Sequence, residues 1–170
     1  MLPTTSCYVG NGWQDTPEKA LAIAADSNLD TLQRLTPINL LDKFHINERT
    51  YMLFVSKGDT LVQASFVTNK EGQYHYEGDT EEIAIDDPDT MILNGDSEQI
   101  ILFDYFKDET LVWGYKYSSV DITVNGIVPQ IKTYTFTSDD REWSIDRWCL
   151  NIADENVEIY IQATASSKGE

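Results

Sequence analysis

From Leu40 onward the apolar residues of this 170-residue chain fall into strand-length pieces bounded by turn signals, and that pattern excludes a helical bundle. Tyr51 to Val55, Leu61 to Thr68 and Gln73 to Tyr76 alternate or run apolar, preceded by Leu40, Leu41, Phe44 and Ile46. Lys57-Gly58-Asp59 and Asn69-Lys70-Glu71-Gly72 separate them as natural hairpin turns. Further along, Ile100 to Phe106, Leu111 to Tyr117, Val120 to Val124 and Trp143 to Ile152 read as strands. Val157, Ile159 and Ile161 alternate with polar residues in a last one. Asn125-Gly126 tolerates positive φ at both positions, so it predicts a two-residue hairpin whose partner strand runs from Ile127 towards Phe136. Pro129 marks that strand as a sheet edge.

One helix precedes the strands. Thr16 can cap it, Pro17 fits its first position, Glu18 suits the positive dipole end, and Ala20, Leu21, Ile23, Ala24 and Ala25 follow. Leu29 to Pro37 is either a short second helix or a turn. The expectation is an α+β fold, with the N-terminal helix across one face of an antiparallel meander, similar in outline to cystatin-like folds. An all-β, sandwich-like C-terminal lobe follows. Residues 1–85 form the first lobe, 86–99 an acidic connector and 100–170 the second. The acidic composition already begins at Glu77, and Met91 to Leu93 is expected as a short strand within it. No internal repeat is evident.

Twelve basic against 29 acidic side chains give a net charge of −17. Nucleic-acid binding depends on Lys and Arg displacing phosphate counterions, and the few cations here are scattered. Anionic membrane surfaces are disfavoured on the same ground. No apolar run approaches the ~18 residues of a membrane span. The N-terminus lacks the basic start and apolar centre of a secretory signal, so Met1 is either a native start or follows a trimmed export signal. Cys7 and Cys149 could close one disulfide, worth ~4 kcal/mol in the chain-entropy model. Two unrelated thiols are the favoured alternative.

Each candidate for chemistry has a plainer explanation. Gly95-Asp96-Ser97 ends a strand as in GDSL-type esterases, but those need a histidine after the serine, and His45 and His75 both precede Ser97. His45 and His75 lack the paired spacing of a metal site. Asp86, Asp87, Asp89, Asn94, Asp96 and Glu98 could offer oxygens to calcium but break the EF-hand pattern, which favours an acidic connector. Cys149 lies in an apolar strand and reads as a structural thiol. Nothing marks two acids as a glycosidase pair. Of Trp13, Trp113, Trp143 and Trp148, the last two differ by an odd number and should face opposite sides of one strand, making one of them a candidate for exposure. No catalytic, cofactor-binding or metal-binding residue is therefore assigned, and no cofactor is expected.

Thr16-Pro17-Glu18-Lys19-Ala20-Leu21, Leu111-Val112-Trp113-Gly114-Tyr115, the hairpin from Val120 to Gly126 and the ending Lys168-Gly169-Glu170 carry a likeness. In that order they resemble a group of uncharacterised exported proteins of Gram-positive bacteria, many of them lipoproteins. Cys7 follows Thr4-Thr5-Ser6, so no lipobox is present. The resemblance implies an extracellular or cell-envelope location more than an activity. The resulting expectation is a non-enzymatic accessory domain that binds a protein or an envelope component. The alternatives are a hydrolase of unrecognised type and a cytosolic acidic protein that neutralises a basic partner.

Overall fold

Thr16 is extended (φ −138°, ψ 150°) and its hydroxyl accepts from the Lys19 amide at 3.2 Å, starting helix α1 (Pro17–Ala25). The computed structural model describes residues 12–46, 49–83, 101–106, 109–138, 140–152 and 158–166. The chain divides into two compact units at Ile83 and Ala84. Asn28 repeats the capping device, accepting from Thr31 N at 2.8 Å, so the ambiguous stretch is a second helix, α2 (Leu29–Leu35). Thr36 ends it in an extended conformation, as the residue before a proline must.

Four strands follow: β1 (Pro37–Ile46), β2 (Arg49–Ser56), β3 (Leu61–Thr68) and β4 (Tyr74–Ile83). They form an antiparallel meander in chain order. The turns carry the conformations their residues allow, with Asp59 at φ 55° and Gly72 at φ 76°. Asn69 holds the second turn, its Oδ1 accepting from the amides of Glu71 and Gln73. The alanine-rich stripe of α1 packs as expected. Ala20, Leu21 and Ala25, with Leu35 of α2, share a core with Met52 and Phe54 of β2 and Val62, Ala64 and Phe66 of β3. Burying a side chain such as Leu21 is worth roughly 1.5–3 kcal/mol. The alternate residues Tyr51, Leu53, Val55 and Leu61 are buried too. Burial on both faces explains why β2 reads as an unbroken apolar run instead of an alternation.

The acidic stretch from Glu77 does not begin as a connector. Residues up to Ile83 continue β4, with Gln63 opposite Glu81, Val62 opposite Glu82 and Leu61 opposite Ile83. Ladder bonds come from the backbone, so an acidic composition does not prevent the strand from continuing. The remainder of the acidic stretch lies outside the described residues, including the strand expected at Met91 to Leu93.

The second unit contains β5 (Ile101–Phe106), β6 (Glu109–Tyr117), β7 (Val120–Val124), β8 (Gln130–Ser138), β9 (Arg141–Ile152) and β10 (Ile161–Ala165). Among the described residues these strands form two sheets, one ordered β5-β6-β9-β8 and the other β10-β7. Asn125 (φ 51°) and Gly126 (φ 76°) do make the expected turn, closed by mutual backbone bonds between Val124 and Ile127. The hairpin stops there, however. Pro129 has no N–H to continue a ladder, and β8 pairs with β9 instead. The partner of β7 is β10, whose Ile161 lies opposite Val124. The last strand differs as well: it runs from Ile161, Tyr160 is bound to Asn125, and Val157 lies outside the described residues.

Trp143 and Trp148 do face opposite sides of β9, yet both are buried. Ile145 and Asp146, also on opposite faces, are buried beside them, so neither face of this strand is open at its centre. One face carries Tyr115, Tyr117, Tyr134, Phe136, Trp143 and Ile145, and the other Val112, Lys116, Asp146 and Trp148. Among the described residues, no helix is long and apolar enough to cross a membrane.

Candidate functional site

The second face of the larger sheet holds a polar row within an apolar setting. In the register, Lys116 of β6, Asp146 of β9 and Thr133 of β8 stand directly opposite one another across three strands, which puts their side chains on one face. Lys116 Nζ lies 2.6 Å from Asp146 Oδ2, and the two side chains are 4% and 7% exposed. Asp146 Oδ1 accepts from Ser118 Oγ and from Thr133 Oγ1, each at 2.7 Å. Ser118 and Ser144 hydroxyls are 2.8 Å apart. Burial by itself would raise the Asp146 pKa. The hydrogen bonds from Lys116, Thr133 and Ser118, with the lysine's charge, outweigh it and hold the carboxyl below its ordinary value.

Beside this row lies a recess of about 430 Å³, lined by Lys116 and Ile131 of the larger sheet, by Asp121, Ile122 and Thr123 of β7, by Gln162 and Thr164 of β10, and by Val128 of the linking segment. Its exposed apolar lining is Val128 and Ile131, 73% and 43% exposed, with Ile127, 54% exposed, next to Val128 in the chain. In the next row of the same face, Trp148 pairs with Ile131, and its buried indole N–H has no acceptor among the described residues. A second recess, of about 340 Å³, is lined by Tyr117, Ser118, Ser119, Val120, Arg141, Glu142, Trp143 and Ser144. There the Arg141 guanidinium lies 4.6 Å from the Trp143 ring centre, while the indole N–H donates to the Ser138 carbonyl.

The residues singled out from the sequence are elsewhere or alone. His45 Nδ1 is 2.9 Å from Thr50 Oγ1 on β2. His75 packs against Trp13, ring centres 5.5 Å apart. The two histidines sit on the outer strands β1 and β4, three inter-strand steps or roughly 14 Å apart, too far to share a metal ion. No cluster of three or more His, Cys, Asp or Glu side chains suited to a metal occurs among the described residues. Cys149 is a free, half-buried thiol 4.0 Å from Gln130 Oε1. Trp113 is buried and Trp13 exposed. Ser97, the oxygen set from Asp86 to Glu98, and Cys7 lie outside the described residues.

Sequence reasoning missed the Lys116–Asp146 pair and the recess. Their one trace was Lys116 between Tyr115 and Tyr117; Asp146, beside Arg147 in a strand that also carries Arg141 and Glu142, did not stand out. Chemically the row is saturated: every oxygen of Asp146 already has a donor, and Ser118 Oγ points its proton at a carboxylate instead of receiving help from a base. No family model, curated protein or solved structure matches this chain.

Proposed function

We propose that the chain is a non-enzymatic binding domain of a bacterial cell-envelope protein, engaging a partner protein through its second unit. The observation that carries this reading is the recess between β7, β10 and the start of β8. Large apolar side chains stand exposed together at its mouth, the arrangement expected of a contact surface more than of scattered surface residues. Lys116 in its wall is paired with Asp146, whose oxygens are satisfied by their own neighbours, which suits a rigid wall better than proton transfer.

The finer architecture belongs to the same proposal. The helix-on-meander unit has a cystatin-like outline, supported by the packing of α1 and α2 on a single face of a four-stranded meander. The second unit is sandwich-like, supported by the recess that both of its sheets line. The envelope location rests on the resemblance to exported Gram-positive proteins.

The test uses native cells of the source, with a photo-cross-linking amino acid at Val128 and, as a control, at the exposed Thr137 near the far end of β8. Cross-linking to a defined envelope protein from Val128 alone supports the proposal. Equal yields from both positions, or none from either, remove it. A native protein found in the cytosol and beginning at Met1 removes the envelope assignment.

A further inference from the structure

We infer that the recess takes an extended, lysine- or arginine-bearing segment of the partner, added as a strand along the outer edge of β8. The inference rests on the binding-domain reading and names what is bound. Among the described residues β8 is the last strand of its sheet, and its first four residues, Gln130 to Thr133, are exposed. Alternate N–H and C=O groups of an outer strand point away from the sheet, which is a template for one more strand. Val128 and Ile131 flank this edge at the recess mouth, so an added strand would bury apolar side chains against them.

Charge decides among occupants. Of the two ionisable side chains in the lining, Lys116 is spent on Asp146, and Asp121 is exposed on β7. The recess therefore presents a carboxylate and no available cation. Lys132, the nearest cation on β8, stands on the opposite face, over the Tyr134 ring at 5.5 Å. A second copy would bring another −17 to the same edge, and the repulsion disfavours self-pairing. A segment carrying an apolar and a basic residue two positions apart, so that both face the recess, satisfies the backbone edge, the apolar mouth and Asp121 together.

The experiment measures binding of a fluorescent peptide repeating Thr-Val-Thr-Lys, which sets Val and Lys in turn on one face (the Lys-Val peptide), to the full chain at physiological salt. Its companions are a Glu-Val peptide and a Lys-Val peptide N-methylated at alternate residues to remove backbone donors. Variants Asp121→Asn, Ile131→Lys and, as an equal-charge control at the far end of β8, Thr137→Lys are first matched to the parent by near-ultraviolet circular dichroism. The expected result is saturable binding of the Lys-Val peptide only, weakened about tenfold by Asp121→Asn and by Ile131→Lys but not by Thr137→Lys. Equal loss at Ile131→Lys and Thr137→Lys would identify nonspecific attraction and overturn the inference, as would equal binding of the N-methylated peptide. No peptide binding, with a specific cross-link at Val128, removes this inference and leaves the binding-domain reading standing. Absence of both removes both.

Discussion

Lys116 and Asp146 face each other across neighbouring antiparallel strands, Nζ to Oδ2 at 2.6 Å, with almost no exposure to water. Two charges removed from solvent gain little net stability from each other, because desolvation offsets most of the attraction. The cost of breaking the pair is another matter. The surviving charge is left buried without its counterion, and Asp146 additionally anchors hydroxyls from two other positions.

Asp146→Asn should destabilise the protein by about 3–5 kcal/mol in urea unfolding, since it strands Lys116. The double variant Lys116→Met/Asp146→Leu should recover a large part of that loss. If the double variant is as unstable as the single one, the loss comes from Ser118 and Thr133 and not from the unpaired lysine.

Acid should find the same site. The folded-state pKa of Asp146 lies below its unfolded value, so the carboxylate contributes stability that is fully present above about pH 4 and is lost as pH falls through the lower folded value. Stability measured between neutral pH and pH 2 should therefore fall more steeply in the parent than in Lys116→Met/Asp146→Leu. Parallel curves would show that other carboxylates dominate acid unfolding.

Asn125 has two duties. Its φ of 51° makes the turn after β7, and its side chain grips the other strand's approach, with Oδ1 accepting from Tyr160 N at 2.7 Å and Nδ2 donating to Glu158 O at 3.1 Å. Asn125→Gly keeps the turn but removes the grip. Amide exchange should accelerate at Tyr160 and through Ile161–Ala165 while β8 and β9 stay protected. Gly126→Ala, by contrast, strains φ 76° itself and should cost about 1 kcal/mol globally.

At the other end of the chain, the helix caps should behave independently. Thr16→Ala and Asn28→Ala each remove one acceptor for a first-turn amide and should cost about 1 kcal/mol apiece, with near-additive effects on the denaturation midpoint. Leu21→Ala, which opens a cavity beneath α1, should cost about 2–5 kcal/mol.

Local chemistry made much of this architecture legible in advance. Thr16-Pro17 announced α1, Asn69 to Gly72 announced a hairpin, and Asn125-Gly126 announced a turn, because each effect is carried by a few consecutive residues. The strand pieces were visible in their apolar patterning for the same reason. Pairing was not. That β7 joins β10 rather than β8, and that residues 77–83 extend a strand despite their acids, depends on which edges are free, a property of assembled sheets. The buried state of both Trp143 and Trp148 required knowing that both faces of β9 are covered. Lys116 and Asp146 are 30 positions apart in sequence, and nothing local to either predicts the other. The sequence by itself determined the elements and turns, whose energies are short-range. The tertiary structure decided the partners, the buried ion pair and the recess, because those depend on contacts between distant residues that exist only once the sheets have formed.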